Sequence, residues 1–152
     1  SVLPTNDLTP DHIESVVECV YIGAEIASSP IKRINDLGPV GPISDFGNNS
    51  GMIVGPELKR WRDGELFSTY VTVTIDGVTH GPSRAKLGQE GPLGATKFLI
   101  EQLRKRGHEI PKGTLVSSGA ITGVHDASVG AQSTISFTDQ GELALTLTCN
   151  KT

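Results

Sequence analysis

Glu25 is the acidic residue whose place in the sequence could support metal chemistry. Its surroundings predict that it lies at the end of an apolar helix, directly before a long irregular stretch. A carboxylate in that position could hold a hard cation such as Mg²⁺, which prefers oxygen ligands and keeps several of its waters. The alternative is a solvated carboxylate at a helix end, which is the commoner situation for a single acidic residue.

The four histidines, His12, His80, His108 and His125, do not have the spacing of metal ligands. For each of them a place on the surface or in a turn is more frequent than a catalytic role. His80 and His125 are the better candidates, because each lies in a glycine-flanked loop near the predicted end of a strand. Asp126 follows His125 directly and could orient its ring.

Two helices that must position these residues are predicted from hydrophobic periodicity. The first begins at Thr9-Pro10-Asp11, which is typical of a helix start, and it ends by Ser29 because Pro30 restricts the residue before it. Its apolar stripe has helical spacing and consists of Ile13, Val16, Val17, Val20 and Ala24. The second is expected over 94–106, where a similar stripe precedes Gly107.

Strands are predicted at 51–55, 70–75, 115–116, 133–137 and 143–147. Asp76-Gly77 is a favoured hairpin turn after the second of these runs, and the last two runs form a hairpin around Asp139-Gln140-Gly141. Residues 30–51 are expected to form a lid or site loop, because Gly38-Pro39-Val40-Gly41-Pro42 disfavours both helix and central strand. The pattern predicts an α+β fold with two main helices and a mixed, mostly antiparallel sheet.

Length and composition restrict the class of protein further. With 152 residues the chain is expected to form a single domain over 1–152. The net charge of −4 and the lack of a basic cluster argue against nucleic acid as a partner. The sequence has no apolar run of the ~20 residues that a membrane span needs and no recognisable signal peptide, so a cytoplasmic protein without membrane contact is expected. Cys19 and Cys149 are predicted to form no disulfide.

Short motifs, taken in their order along the chain, give the sequence a family resemblance. It resembles the fumarylacetoacetate hydrolase superfamily, and within it the 2-keto-4-pentenoate hydratase and oxalocrotonate decarboxylase group. The resemblance extends over nearly the whole chain and corresponds to the later part of a usual family member. The residues that carry it are Glu25-Ile26, Asp45, Asn49-Ser50-Gly51, Ile53-Val54-Gly55, Leu87-Gly88, Pro92-Leu93, Leu99, Leu103, Gly107, Gly113, Val116 and Ser118-Gly119.

This resemblance implies a β-roll of the fumarylacetoacetate hydrolase C-terminal type and an oligomer, either of identical chains or with a related one. It also implies a divalent metal, usually Mg²⁺, that lies on three carboxylates in the mouth of the roll. The metal binds a small 2-oxo acid and stabilises its enolate as a Lewis acid. Hydration, decarboxylation, C–C cleavage and tautomerisation all start from that enolate within the family.

The resemblance assigns roles to six residues. Glu25 matches the third metal ligand, and Asp45 matches an acidic residue that would position a water or a proton. Ser118 is the second candidate catalytic residue. The turn formed by Ser118, Gly119 and Ala120 would offer backbone N–H groups to an oxyanion, and Thr122 would add a hydroxyl for substrate binding.

Several positions depart from the family pattern. The Glu-x-Glu motif that supplies the first two metal ligands is absent from the 152 residues, so the chain corresponds to a family domain without its N-terminal part. Ser28 and Pro30 replace Asp and Arg, Phe46 replaces Asn, and Ala120 replaces a hydroxyl residue. Since a lone Glu25 would hold Mg²⁺ poorly, either the other ligands lie upstream or on a partner chain, or the site has lost its metal chemistry.

Three hypotheses about function follow from these observations. The first is a hydratase- or lyase-like enzyme that acts on a small 2-oxo or enol acid through a metal-stabilised enolate. The second is a catalytically degenerate subunit of a homo- or hetero-oligomer. The third is a metal-free pocket repurposed for isomerisation or cyclisation, with the glycine- and proline-rich stretch 38–51 as its lid.

Overall fold

The computed structural model describes residues 8–63, 69–85 and 91–149, and it confirms the α+β class. Within these ranges it contains three α-helices and six strands, which form two antiparallel sheets. The helices are α1 (Pro10–Val16), α2 (Val40–Ser44) and α3 (Gly91–Lys105), and the strands are β1 (Tyr21–Ala27), β2 (Asn49–Glu57), β3 (Tyr70–Ile75), β4 (Val78–Arg84), β5 (Gln132–Phe137) and β6 (Gly141–Thr146). The motif Leu87-Gly88 lies outside the described residues.

Helix α1 is much shorter than the helix that the sequence predicts. It begins as expected, because the Thr9 hydroxyl accepts a hydrogen bond from the His12 amide (3.3 Å) and the His12 ring accepts one from the Thr9 amide (3.1 Å). It ends at Val16, and Tyr21–Ala27 is a strand. The prediction of one helix up to Ser29, with Glu25 at its end, is therefore wrong.

The physical reason is that the apolar pattern after Val16 fits two periods. The stripe through Val20 and Ala24 has helical spacing, but Ile22 and Ile26 also alternate with exposed positions, as in a strand. Stiff β-branched side chains in this stretch favour the extended form. Pairing with β2 decides between the two periods, since it satisfies the backbone and buries Ile22 completely.

Two sheets contain all the strands of the described residues. Sheet A consists of β1 and β2, and sheet B has the strand order β4-β3-β5-β6. The β3–β4 hairpin turns at Asp76-Gly77, where both residues have positive φ (47° and 83°), as a tight hairpin turn requires. The β5–β6 hairpin turns at residues 138–140. Both hairpins confirm the predictions made from the turn residues.

Two other predictions about elements are wrong. Residues 30–51 are not a loop throughout, because they contain α2 and two 3₁₀ turns, Ile34–Leu37 and Phe46–Asn48. Proline is well suited to the start of a helix, and Pro39 is the N-cap residue of α2. Leu115-Val116 is not a strand either, because the structure gives this stretch no ladder partner among the described strands.

One apolar cluster joins the two sheets. It contains Ile22 of β1, Leu58, Trp61, Ala85, and three side chains of sheet B, namely Val71, Ile135 and Phe137. A smaller cluster of Leu8, Ile13 and Ile100 packs α1 against α3. Cys19 and Cys149 form no disulfide, as expected. No helix in the described ranges combines the length and the apolar character needed to cross a membrane.

Candidate functional site

Strand β1 places Glu25 on the solvent-facing side of sheet A. Along β1 the odd-numbered residues are exposed, whereas Ile22 between them is buried. Glu25 lies opposite Met52 of β2, and cross-strand partners share a face of their sheet. The side chain of Met52 is 37% exposed. Glu25 is thus set on a short, open apolar surface rather than at the end of a helix.

Two neutral side chains fix the carboxylate of Glu25. The Asn49 amide donates a hydrogen bond to Oε1 (2.9 Å), and the Ser117 hydroxyl donates one to Oε2 (3.0 Å). Asn49 begins β2, while Ser117 is 92 positions from Glu25 in the chain. We refer to these three residues as the Glu25 cluster. Each carboxylate oxygen has one donor, so the group has a defined orientation while remaining open to solvent.

The predicted turn residues follow the Glu25 cluster directly. Ser118 is half-buried, Gly119 and Ala120 are exposed, and Gly119 has a positive φ of 103°. In the part of the chain that the structure describes, the backbone of residues 115–127 makes no hydrogen bond to another backbone group. The assignment of an oxyanion site to this turn stays a prediction.

Asp45 makes no hydrogen bond to the Glu25 cluster among the described residues. It ends α2, where its backbone N–H donates to Gly41 and Pro42 and its carbonyl accepts from Asn48 (2.8 Å). Its half-buried side chain has no hydrogen-bond partner among the described residues. Through the turn at Asn48 the Asp45 backbone leads into β2, whose first residue is Asn49 of the Glu25 cluster.

Thr122 belongs to a second group of polar side chains. Its hydroxyl lies 3.1 Å from Nε2 of His125, and the His125 ring stacks on His80 with a centroid distance of 3.9 Å and an interplanar angle of 16°. The structure thus brings together the two histidines that the sequence singles out, although nothing in the sequence indicates the stacking. Asp126 is exposed and makes no hydrogen bond to either ring.

The donor set around Glu25 does not by itself fit a Mg²⁺ site. Among residues 8–63, 69–85 and 91–149 no group of three His, Cys, Asp or Glu side chains could hold a metal ion. Both oxygens of Glu25 already accept hydrogen bonds from neutral donors, whereas a hard cation needs several oxygen ligands to offset lost water. The three-carboxylate site that the resemblance implies is not found among the described residues.

Sequence reasoning missed Asn49 and Ser117 as partners of Glu25. Asn49 is part of a motif that carries the resemblance, and Ser117 directly precedes another such motif. The motifs could therefore have drawn attention to both residues. Their contact with Glu25 depends on the register of β1 and β2 and on the path of residues 115–127, which local patterns do not contain. No protein-family model matches the chain, and no curated protein matches it significantly.

Proposed function

We propose that this chain is a hydratase- or lyase-like enzyme of the fumarylacetoacetate hydrolase type that acts on a small 2-oxo or enol acid. The observation that carries the proposal is the Glu25 cluster. Glu25 and Asn49 lie in motifs that support the resemblance, and Ser117 directly precedes the Ser118-Gly119 motif; the three side chains meet at one carboxylate. The shared core of the two antiparallel sheets is compatible with a β-roll, which forms part of the same proposal.

In this proposal the chain's own residues bind and orient the substrate. The N–H groups at Ser118, Gly119 and Ala120 would donate to the oxygen on which negative charge develops in the enolate. Asp45 would position a water or move a proton, and Thr122 would contribute a hydroxyl. Mg²⁺ enters the proposal only if two further carboxylates come from residues outside the described ranges or from a partner chain, because Glu25 alone does not fit it.

A second candidate is a catalytically degenerate subunit that pairs with an active relative or with another copy of itself. The observation in its favour is that both oxygens of Glu25 are engaged within the chain by uncharged donors. Ala120, which has no hydroxyl, agrees with it. In such a subunit the Glu25 cluster would hold residues 115–127 against sheet A and would bind no substrate.

Calorimetry with Mg²⁺ and oxalate, an enolate mimic, separates the two candidates. The complete product of the gene is titrated beside Glu25→Gln and Glu142→Gln, the second being a matched change at an exposed position of β6. The enzyme hypothesis predicts Mg²⁺-dependent oxalate binding in the parent and in Glu142→Gln, and its loss in Glu25→Gln. Native mass spectrometry of the extract tests for a partner chain.

The outcomes are distinct. Oxalate binding by the complete protein that disappears with Glu25→Gln supports the enzyme. No binding by the complete protein, together with a stable hetero-oligomer, contradicts the enzyme and supports the degenerate subunit. Binding that survives Glu25→Gln contradicts the assignment of Glu25 as a ligand in either case.

A further inference from the structure

The connection between β1 and β2 carries a group of exposed apolar side chains. Leu37, Val40, Ile43 and Phe46 lie within ten residues of one another, and their exposed fractions run from 61% to 90%. The stretch 37–44 contains no charged residue. We refer to these four side chains as the 37–46 patch. Single exposed apolar residues are common on proteins, whereas a group of them on one surface is typical of an interaction site.

The local fold turns this patch toward solvent. Gly41 is the buried residue of α2, and a Cβ there would lie 2.6 Å from the carbonyl oxygen of Ile34 and 2.9 Å from Cβ of Leu37. Helix α2 therefore packs through Gly41 on the turn that ends at Leu37. Val40 and Ile43, three positions apart, are neighbours on the helix surface, and both are exposed. Leu37, Val40 and Ile43 thus adjoin one another along α2 and the turn.

Backbone hydrogen bonds fix the segment that carries the patch. The Ile43 amide donates to the Pro39 carbonyl (3.2 Å), and the Asn48 amide donates to the Asp45 carbonyl (2.8 Å). The Ser28 amide donates to the Asn48 carbonyl (2.8 Å), where the segment joins the two strands of sheet A. Because a preorganised surface loses little conformational entropy on binding, this segment can bind without first having to fold.

We propose that the 37–46 patch is the contact between two copies of this chain related by a twofold axis. A twofold contact pairs the same surface of both copies, and an apolar surface is complementary to itself. From their exposure, the four side chains present roughly 500 Å² of apolar area per copy. Two copies together would cover roughly 1,000 Å², which is most of the area of about 1,200–2,000 Å² that a stable interface buries.

The charges around the patch favour a second copy over a strongly charged partner. Residues 31–46 contain two cations, Lys32 and Arg33, and two anions, Asp36 and Asp45, so this segment has no net charge. The rest of the chain therefore carries the whole net charge of −4. Two acidic copies can approach here without the repulsion that they meet elsewhere. This inference does not rest on the proposed function, since it concerns only the connection between β1 and β2.

Analytical ultracentrifugation of the full chain tests the contact. The parent is compared with Ile43→Glu and with Phe98→Glu, a matched change at an exposed apolar position of α3. We expect a dimer with a micromolar or lower dissociation constant in the parent and in Phe98→Glu. In Ile43→Glu each copy brings a carboxylate into the apolar contact, and we expect the dissociation constant to rise at least about 100-fold.

A second measurement locates the contact and decides the question if Ile43→Glu does not fold. Isotope-filtered nuclear Overhauser spectra are recorded on a mixture of labelled and unlabelled parent chains. Intermolecular signals between the methyl groups of Val40 and Ile43 and the ring of Phe46 support the proposal.

Three results overturn it. The first is a parent chain that stays monomeric from micromolar to millimolar concentration. The second is a dimer whose intermolecular signals exclude the patch, or one that Phe98→Glu dissociates and Ile43→Glu leaves intact. The third is a monomer that binds phosphatidylcholine vesicles through the patch, which would assign this surface to a lipid partner.

Discussion

At the scale of single residues, Glu25 obtains its orientation from hydrogen bonds rather than from burial. One amide and one hydroxyl donate to its two oxygens, and the carboxylate remains exposed on sheet A. Such an arrangement orients the carboxylate without the desolvation cost of a buried charge. A polar contact between side chains that are 24 and 92 positions apart arises only after the sheet has formed.

Tyr21 gives a prediction at the same scale. A hydrogen bond with Cys19 and the charge of that thiol raise the pKa of the Tyr21 phenol above 10.0, with smaller contributions from burial and from the carboxylates of Glu57 and Glu18. A negative charge on the thiol disfavours the phenolate form of the neighbouring Tyr21. We predict that Cys19→Ala lowers the pKa of Tyr21 toward 10.0, as measured by tyrosinate absorbance.

The measurement is made with Tyr70→Phe throughout, because the chain has two tyrosines. Cys149→Ala is the matched control and leaves the Tyr21 pKa unchanged. Since the folded-state pKa is raised, this group stabilises the fold below its unfolded pKa, and that contribution is lost as pH rises through the raised value. Equal phenol titrations with and without Cys19 would contradict the assignment.

At the scale of elements, sequence patterns succeed where one period dominates. Helix α3 and both hairpins of sheet B could be predicted, since a single helical stripe and strong turn residues such as Asp76-Gly77 leave no alternative. The stretch 16–27 could not, because its apolar residues fit a helix and a strand, and β2 decides between them. Of the Glu25 cluster the sequence singled out only Glu25, which it placed at the end of a helix, and the contact with Asn49 depends on the pairing of β1 with β2.

Gly81 supplies a test of how closely β4 approaches β3. Its φ is +99°, and a Cβ would lie 2.8 Å from the carbonyl oxygen of Val71. Gly77, in the hairpin turn, also has a positive φ (+83°) but has nothing within 4 Å of a Cβ. We predict that Gly81→Ala lowers the free energy of unfolding by about 3 kcal/mol and Gly77→Ala by about 1 kcal/mol, measured by urea denaturation. Equal losses of unfolding free energy in the two variants would show that the positive φ sets the cost of alanine at both positions, and that the close Val71 oxygen adds nothing at Gly81.

At the scale of the whole molecule, the two sheets depend on one core. Ile22 of sheet A has no exposed surface and belongs to the same cluster as Val71, Ile135 and Phe137 of sheet B. Neither sheet covers its apolar face alone, so the sheets stabilise each other. A side chain at this junction therefore contributes to both sheets at once.

We predict that Ile22→Ala lowers the free energy of unfolding by about 3 kcal/mol, whereas Val54→Ala on the exposed face of sheet A costs less than about 1 kcal/mol. Trp61, the single tryptophan, is 3% exposed and lies in the shared cluster. Within each of the three proteins, the parent and the two variants, tryptophan fluorescence and far-ultraviolet circular dichroism should therefore report the same urea midpoint. Separate midpoints would mean that the two sheets unfold independently.

The absence of backbone pairing in residues 115–127 among the described residues also bears on how this chain can evolve. Insertions, deletions and exchanges at the exposed positions of this stretch break no described backbone hydrogen bond of either sheet, so they change the surface beside Glu25 at little cost to folding. Ile121, which packs against the main core, is the exception. Selection can act there on length and side chain while the two sheets keep their sequence. Divergence between relatives should accordingly concentrate in this stretch, and a new specificity could arise without a new scaffold.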